Sequence, residues 1–320
     1  MTSRRVRRGL LAAFVIAISV PGAVRGTIWA LGASLAGPAM LDGPHVTIWD
    51  TPDIPFNENF GGLSGLLIEG DTLIAASDRG ALFVTRIERD TEGWITALTQ
   101  TRMIVLPRLR GWPTQEAETD LEGLARMENG DMVLAFERFA RIDTLKSLDA
   151  TPRPTHPWTR FQDRFGNQAF EATAVLPDGD VLAILEGPSG APTTFAHRWD
   201  GVRGGAGWSE EIQMPLSDEF VIVGADTGPD GCLYLLDRKF TLSGGFSHRL
   251  RRVARLDELG EVIYTSAPAV LGNAEGLSVD AAANGNLIAT LVTDNNFLPL
   301  SPTRLIQYRV TPGLSCDGVF

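Results

Sequence analysis

A pattern that returns about every 50 residues constrains the fold of this 320-residue chain more than any other feature. Each copy opens with a short stretch such as Asp120–Ala125, passes through a polar turn such as Asn129-Gly130-Asp131, and ends in an apolar run that stops at a charge. The five copies begin at Gly62, Asp120, Phe170, Val223 and Asn273. Short strands joined by Asx-Gly turns at this spacing are typical of β-propeller blades, which stack in a ring to bury their sheet faces.

The sequence therefore predicts an all-β protein, a β-propeller of five or six blades. Its 34 glycines and 19 prolines supply turns, and its 44% apolar content is enough for the core of one large domain. Apolar runs after the N-terminal segment are short and lack helical periodicity. We expect the propeller to span residues 42–312, followed by a tail at 313–320. The segment Val46–Trp49 is predicted to complete the last blade and close the ring without exposed sheet edges.

Residues 1–41 have the composition of an export signal. Met1–Arg8 carries four arginines, and Leu10–Val20 is an apolar run broken by Pro21-Gly22. Two interpretations stay open: a signal peptide that directs the protein to the periplasm or outside the cell, or an uncleaved N-terminal anchor. An anchor is the single form of membrane attachment that the sequence suggests, although the apolar run is short for a membrane span.

The net charge of the chain excludes whole classes of partner. The formal charge is −11, and residues 1–41 hold five arginines and no acid, so without them it falls to −16. Such a protein is poorly suited to bind nucleic acid or an anionic membrane and well suited to bind cations.

The cysteines and histidines give weaker signals. Cys232 and Cys316 could form a disulfide in an exported protein, or Cys232 could be a free buried thiol. His45, His156, His197 and His248 are scattered through the sequence, and we expect them on surface loops or strand edges. No pair of them has the spacing of a transition-metal site.

Acidic and amide side chains recur where the predicted first strand of a blade begins. Residues two apart on a strand share a face, so Asp120 points with Glu122 and Asn273 with Glu275. The first strand of a blade lines the propeller channel, where converging carboxylates repel one another unless a cation neutralises them. Oxygen ligands of this kind suit Ca²⁺. The predicted metal ligands are Glu122, Glu171, Asp226, Asn273, Glu275 and Asp294; the alternative is that each acid only hydrogen-bonds strand ends and turns.

A second acidic row ends the second strand of each copy. In three copies an arginine follows the acid: Asp78-Arg79, Glu137-Arg138 and Asp237-Arg238. Neighbours on a strand point to opposite faces, so the two members of a pair do not bond each other. Arg79, Arg138, Arg238 and Asn295 are predicted to bind an anionic group of the substrate, and salt bridges between blades are the alternative.

Several of these stretches together resemble the phytase-like family, described as having esterase-like activity. The resemblance is carried by Phe60–Leu66 with Ser77-Asp78-Arg79-Gly80, by Asp120–Ala125, by Asn273–Ser278 and by Thr293–Phe297, and it covers about residues 56–312. It implies an exported bacterial β-propeller that hydrolyses esters, with phosphate esters suggested by the family name. The chain lacks the long Asp-rich calcium runs of the true β-propeller phytases. A looser likeness, through Glu122-Gly123 and Asp230–Asp237, is to calcium-dependent lactonases of the gluconolactonase and paraoxonase type.

These observations lead to one functional hypothesis and its alternatives. We expect an exported hydrolase for a small anionic ester or lactone, in which Ca²⁺ activates a water molecule and Glu122, Glu275 and Asp78 are catalytic. A calcium-dependent lactonase is one alternative. The other is a non-catalytic propeller of the cell envelope that binds a ligand or a protein.

Overall fold

A computed structural model describes residues 44–51, 60–107, 119–163, 169–200, 207–298, 301–311 and 316. Within them the chain forms five antiparallel sheets of four strands each, with a short 3-10 helix at Trp158–Phe161. The sheets are the blades of a five-bladed β-propeller, which confirms the predicted fold and decides between five and six blades.

The strands of each blade follow one another outward from the propeller axis. Blade one contains β2 (Leu63–Glu69), β3 (Thr72–Ser77), β4 (Ala81–Arg89) and β5 (Ile95–Val105). Blade two contains β6 (Leu121–Arg126), β7 (Met132–Phe136), β8 (Arg141–Leu145) and β9 (Arg153–Pro154). Blade three contains β10 (Phe170–Val175), β11 (Val181–Leu185), β12 (Thr193–Trp199) and β13 (Ile212–Pro215). Blade four contains β14 (Val221–Thr227), β15 (Leu233–Thr241), β16 (Gly245–Val253) and β17 (Glu261–Thr265).

The fifth blade closes the ring with a strand from the start of the described chain. It contains β18 (Asn273–Ala281), β19 (Leu287–Asp294), β20 (Arg304–Val310) and, outermost, β1 (His45–Ile48). Strand β1 pairs with β20, with His45 opposite Gln307. Beyond β1, the backbone N–H of the buried Trp49 donates to the carbonyl of Thr303 at 2.9 Å. The predicted ring closure is therefore confirmed.

The hydrophobic core is divided into five clusters, each between two adjacent blades. Phe83 and Leu305, for example, lie in the cluster between blades one and five, and Leu182 and Leu235 lie between blades three and four. Because a neighbouring blade covers each face of a sheet, its inner strands are apolar on both faces, as in the fully buried β11. This explains why the sequence shows continuous apolar runs rather than strict alternation.

The two cysteines are joined in a disulfide. Cys232 follows the turn between β14 and β15, and its bond to Cys316 ties the C-terminal tail to blade four across 84 residues of sequence. Of the two interpretations left open by the sequence, the disulfide is the one observed.

Three of the four histidines are buried, so their predicted surface placement is wrong. His248 is 1% exposed, and its Nε2 accepts a hydrogen bond from the Ala274 backbone N–H at 3.1 Å. His156 accepts in the same way from the N–H of Ile142 at 3.1 Å. These rings satisfy backbone donors inside the fold, and burial lowers the pKa of His248 to about 3, which keeps it neutral.

The predicted N-terminal signal or anchor at 1–41 lies outside the described residues. In the part of the chain that the structure describes, no helix is long and apolar enough to cross a membrane.

Small residues let the innermost strands of adjacent blades approach closely. A Cβ atom built on Gly224 would lie 2.6 Å from the carbonyl oxygen of Glu275 in blade five, and one on Gly276 would lie 2.9 Å from that of Ser64 in blade one. At Gly123 the nearest atoms, in Thr173, are 3.1 Å away. These glycines therefore allow the innermost strands, several of which carry acidic side chains, to approach one another closely at the axis.

We predict that Gly224→Ala destabilises the protein by about 1–3 kcal/mol, because the added methyl group must displace backbone that a closed ring cannot easily move. Gly123→Ala, with its longer contacts, is the matched control and should cost less. Urea denaturation of both variants measures the difference. Equal stabilities for the two variants would contradict this account of blade packing.

Candidate functional site

A β-bulge interrupts the innermost strand of every blade at the same place. In each blade the pairing with the second strand skips one residue near the start of the innermost strand. The skipped residues are Ser64, Glu122, Glu171, Val223 and Glu275. Bulges re-aim side chains, and Ser64, Glu122 and Glu171 line a narrow cavity on the channel axis with room for about one water molecule. The end of the channel where the innermost strands begin is called the mouth below.

The second strand of each blade reaches the mouth and adds one more side chain there. These residues lie opposite the start of the innermost strand in each blade: Asp78, Glu137, Glu186, Arg238 and Asp294. Four of the five blades therefore supply an acid at this position, and blade four supplies an arginine. The next position, at the start of the innermost strand, adds Asp120 in blade two and Asn273 in blade five.

Together these positions form the mouth cluster of eight acids: Asp78, Asp120, Glu122, Glu137, Glu171, Glu186, Glu275 and Asp294. The convergence of carboxylates from separate blades at one mouth, which the repeat pattern predicts, is present. The structure brings five of the predicted ligands here: Glu122, Glu171, Glu275, Asn273 and Asp294. It adds Asp120 and Glu137, which are acids of the repeat that were not among the predicted ligands, and Glu186, which ends the second strand in blade three.

Burial and mutual repulsion favour the protonated form of these acids. Burial raises the pKa of Glu122 well above its ordinary value, and the charges of Glu275 and Asp120 raise it further. Burial likewise raises the pKa of Glu171 well above its usual range, with Glu122 adding to the shift. A cation at the mouth would relieve this repulsion.

Asp78, Glu137 and Asp294 have pKa values close to neutrality. Burial and the nearby Asp294 raise the pKa of Asp78 to about 7. Burial also raises the pKa of Glu137 to about 7, and burial and Glu275 raise that of Asp294 to about 6. Such values suit groups that exchange protons at neutral pH.

Two buried carboxylate oxygens of the mouth cluster accept no hydrogen bond from a nitrogen or hydroxyl donor, although the carboxyl group of Asp120 lies within hydrogen-bond distance of Glu137, and that of Glu137 within hydrogen-bond distance of Glu171. The two oxygens are Asp120 Oδ2 and Glu137 Oε1, and the two residues are only 6% and 7% exposed. Arg138 Nε lies 2.9 Å from Asp120 Oδ2 in an ion pair without the alignment of a hydrogen bond. Carboxylate oxygens that accept no hydrogen bond from a nitrogen or hydroxyl donor are rare at such burial, because the lost hydration is not fully replaced.

The same part of the mouth cluster has the dimensions of a cation site. Asp120, Glu122 and Glu137 each present an oxygen within 4.8 Å of the others, and Glu137, Glu171 and Glu186 do the same. Glu137 belongs to both groups, so these five carboxylates form one continuous set of oxygen ligands of the type that Ca²⁺ binds.

The acids next to blade four are already neutralised by Arg238. Its guanidinium forms an ion pair with Glu275, donates to Asn273 Oδ1 at 3.2 Å, and reaches Glu186 Oε1 at 3.3 Å. Glu275 also accepts from Asn273 Nδ2 at 2.9 Å and from Ser64 Oγ at 3.0 Å. Both of its oxygens are therefore engaged, although the sequence analysis predicted a catalytic or ligand role for it.

The other residues predicted to bind substrate surround the mouth. Arg79 is exposed and lies 3.5 Å over the ring of Phe297, and Arg138 is half exposed. The Asn295 side chain is buried, and its Oδ1 accepts the Phe297 N–H at 2.9 Å. Arg79 and Arg138 thus have the exposure that an anion-binding role needs, whereas Asn295 shapes the loop beneath Phe297.

Asp226 lies away from the mouth, unlike its predicted placement. It is near the far end of β14, where its Oδ2 accepts the Val279 N–H at 2.7 Å and the Ser278 hydroxyl at 3.2 Å. The bulge shows that Val223 is the blade-four counterpart of Glu122. The Asp-Arg pair of blade four is displaced by one residue as well, so Arg238 faces the mouth and Asp237 is buried in ion pairs with Arg249 and Arg251.

Fold and site thus define the class of protein: a five-bladed β-propeller whose channel mouth is lined with carboxylates. A family model described as "Phytase-like: Esterase-like activity of phytase" matches residues 58–297, and the chain belongs to this family. No curated protein matches the sequence significantly.

Solved structures with a similar overall shape share little sequence with this chain. A gluconolactonase from Xanthomonas campestris is 10% identical, with a TM-score of 0.44, covering 86% of this chain and 98% of that one. A luciferin-regenerating enzyme is 10% identical, with a TM-score of 0.45 and coverage of 85% and 97%. Virginiamycin B lyase from Staphylococcus aureus is 11% identical, with a TM-score of 0.40 and coverage of 85% and 90%. These values are too low to transfer an activity.

The raised pKa values predict that the cation-free protein loses stability as the pH rises. A carboxyl whose pKa is higher in the folded state than its ordinary value stabilises the fold while protonated, and this stabilisation disappears as pH rises through the folded pKa. Asp78 and Glu137, whose pKa values are about 7, lose their protons between pH 6.5 and 8. The pKa of Glu122 is also raised well above its ordinary value. Below about pH 6.5 the buried His156 and His248, whose pKa values are lowered, act in the opposite direction.

We therefore expect the melting temperature in chelator to fall by a few degrees between pH 6.5 and 8. Calorimetry of the wild type, with Glu122→Gln as the variant that removes one of the charges, measures the effect. The variant should show a smaller decrease. A wild-type melting temperature that is constant or rises over this interval would show that the acids are not destabilising when ionised.

Proposed function

We propose that this protein hydrolyses a small phosphate or carboxylic ester at the mouth of its channel, using a divalent cation for which Ca²⁺ is the first candidate. The observation that carries the proposal is a pair of buried oxygens, in Asp120 and Glu137, that accept no hydrogen bond from a nitrogen or hydroxyl donor and lie within a set of carboxylates at ligand distance. The family description, esterase-like activity of phytase, supports the reaction class.

The residues present fit such a cation. Asp120, Glu122, Glu137 and Glu171 would hold it, and a hard cation with flexible oxygen coordination suits this all-carboxylate set. When bound, it would polarise the ester and make a water molecule more acidic. Its charge would also offset the repulsion that raises the pKa of Glu122 and Glu171.

The protein's own groups complete the mechanism. Asp78, with a pKa of about 7, accepts a proton from the attacking water and returns it to the leaving group. The exposed guanidinium groups of Arg79 and Arg138 orient the anionic part of the ester, such as a phosphoryl oxygen or a carboxylate. Glu275 is fully engaged by Arg238, Asn273 and Ser64, so in this scheme it positions its neighbours and takes no part in proton transfer.

We also propose that the protein is exported to the periplasm or beyond. The arginine-rich and apolar N-terminal segment supports this, and so does the Cys232–Cys316 disulfide, because such bonds persist in oxidising compartments. Whether the segment is cleaved or serves as an anchor is decided by N-terminal sequencing of the protein isolated from its host.

A substrate panel tests the proposed reaction. Phosphomonoesters, carboxylic esters and lactones are assayed with Ca²⁺ or with chelator, for the wild type, Glu137→Gln and Asp78→Asn. Glu137→Gln removes a proposed ligand of the cation. Its activity should fall by more than the roughly 10–100-fold seen when a residue that only supports a metal ligand is replaced. Asp78→Asn should lose about 10²–10⁴-fold in turnover while still binding the cation.

Glu88→Gln is the control, because this exposed acid of β4 lies at the end remote from the mouth. It should behave as the wild type. Turnover that is indifferent to chelator and to Glu137→Gln would refute the cation mechanism. Activity confined to lactones would favour the lactonase alternative, and cation-dependent melting without turnover on any substrate would favour the non-catalytic propeller.

A further inference from the structure

Arg238 occupies a position at the mouth that an acid occupies in every other blade. It lies opposite Val221 on β14, as Asp294 lies opposite Asn273 on β18. The acids at this position in the first three blades are Asp78, Glu137 and Glu186. Blade four therefore places one positive charge in a ring that is otherwise negative.

Blade four contributes no acid at its other mouth positions. Its bulge residue is Val223, and the start of its innermost strand is Val221. Arg238 is consequently the whole of the charge that blade four brings to the mouth, and its guanidinium fills the gap by bridging Glu186 of blade three to Glu275 of blade five. Its side chain is 17% exposed, so this contact is largely shielded from water.

The acids of the mouth cluster are therefore neutralised to different degrees on its two sides. On the Arg238 side, Glu275 and Asn273 are satisfied by hydrogen bonds and ion pairs. On the other side, the half-exposed Arg138 forms an ion pair with Asp120, and Asp120 Oδ2 and Glu137 Oε1 accept no hydrogen bond from a nitrogen or hydroxyl donor. A guanidinium repels a divalent cation placed near it, and this repulsion is strong where the surroundings are partly buried.

We infer that Arg238 acts as a built-in cation that restricts the mouth to a single divalent ion, bound on the side of Glu137. In this role Arg238 substitutes for a second ion between Glu186 and Glu275, and it does not contact the substrate. The inference rests on the cation binding in the proposed function and adds to it a defined stoichiometry and location.

Removal of the Arg238 charge would free the acids that this arginine now neutralises. Without the positive charge of Arg238, Glu186 and Glu275 lose their ion pairs, and Glu275 remains beside Asn273 together with Asp294. With Arg238 gone, these acids must either bind a cation of their own or become protonated, and saturating Ca²⁺ at pH 8 favours the cation. The variant should therefore acquire a second binding site, which the wild type lacks.

The experiment is calorimetric titration of the folded chain with Ca²⁺ at pH 8, with terbium luminescence as an independent count of bound ions. We expect one ion per chain for the wild type and two for Arg238→Gln, with the first ion bound roughly tenfold more tightly once the repulsion is removed. Arg238→Lys keeps the charge and should still bind one ion. Arg126→Gln makes the same change of net charge beside Glu69, in contacts remote from the mouth, and should match the wild type.

The outcomes test separately whether the mouth binds a cation and whether Arg238 limits it to one ion. A wild type that binds no ion at the mouth refutes the cation in the proposed function. A wild type that binds one ion, with the same number and affinity in Arg238→Gln, overturns the present inference alone. If Arg238→Gln unfolds without Ca²⁺, folding on addition of Ca²⁺ supports the inference, and failure to fold at any Ca²⁺ concentration overturns it.

Discussion

Repulsion among buried carboxylates at the propeller axis is the constraint on which the rest of this structure depends. Each blade is individually an ordinary four-stranded sheet, but closing five of them into a ring brings acids from four blades to one mouth. Burial and like charge both disfavour ionisation there, and they raise the pKa of Glu122 and Glu171 well above the ordinary range. The fold can tolerate these acids in three ways: it can keep them protonated, pair them with arginine, or bind a cation.

The structure pairs the acids with arginine on one side of the mouth and compensates those on the other side only in part. Arg238 neutralises the acids next to blade four, whereas Asp120 has an ion pair with the half-exposed Arg138, and both Asp120 and Glu137 keep an oxygen that accepts no hydrogen bond from a nitrogen or hydroxyl donor. An arrangement that served stability alone would not be expected to leave such oxygens buried, since apolar residues would avoid the cost. The asymmetry therefore links the packing of the ring to a role in binding. The bulges connect the two levels, because they turn one side chain per blade toward the axis while small residues such as Gly224 hold adjacent strands in contact.

Much of the fold was predictable from the sequence because its evidence is local. The repeated turns and apolar runs indicate blades, and the strand before the first copy indicates how the ring closes. The site was predictable only where the repeat keeps its register. Asp226 was predicted to be equivalent to Glu122 because it is the acid in the blade-four copy of the repeat. The strand pairing within blade four instead makes Val223 the equivalent residue. A glycine directly follows both Glu122 and Val223, and this shared glycine would have indicated the correct alignment. The burial of His248 depends on a backbone donor 26 residues away, which no local pattern reveals.

The central claim is that the mouth holds a cation between acids of different blades, and anomalous diffraction from crystals grown with Ca²⁺ or Mn²⁺ tests it most directly. We expect one anomalous peak at the mouth, within about 2.3–2.6 Å of Glu137 and of at least two among Asp120, Glu122 and Glu171 for Ca²⁺, with Arg238 still bound to Glu275. A mouth without an anomalous peak, in which these carboxyl groups are paired with one another through shared protons, would contradict the account.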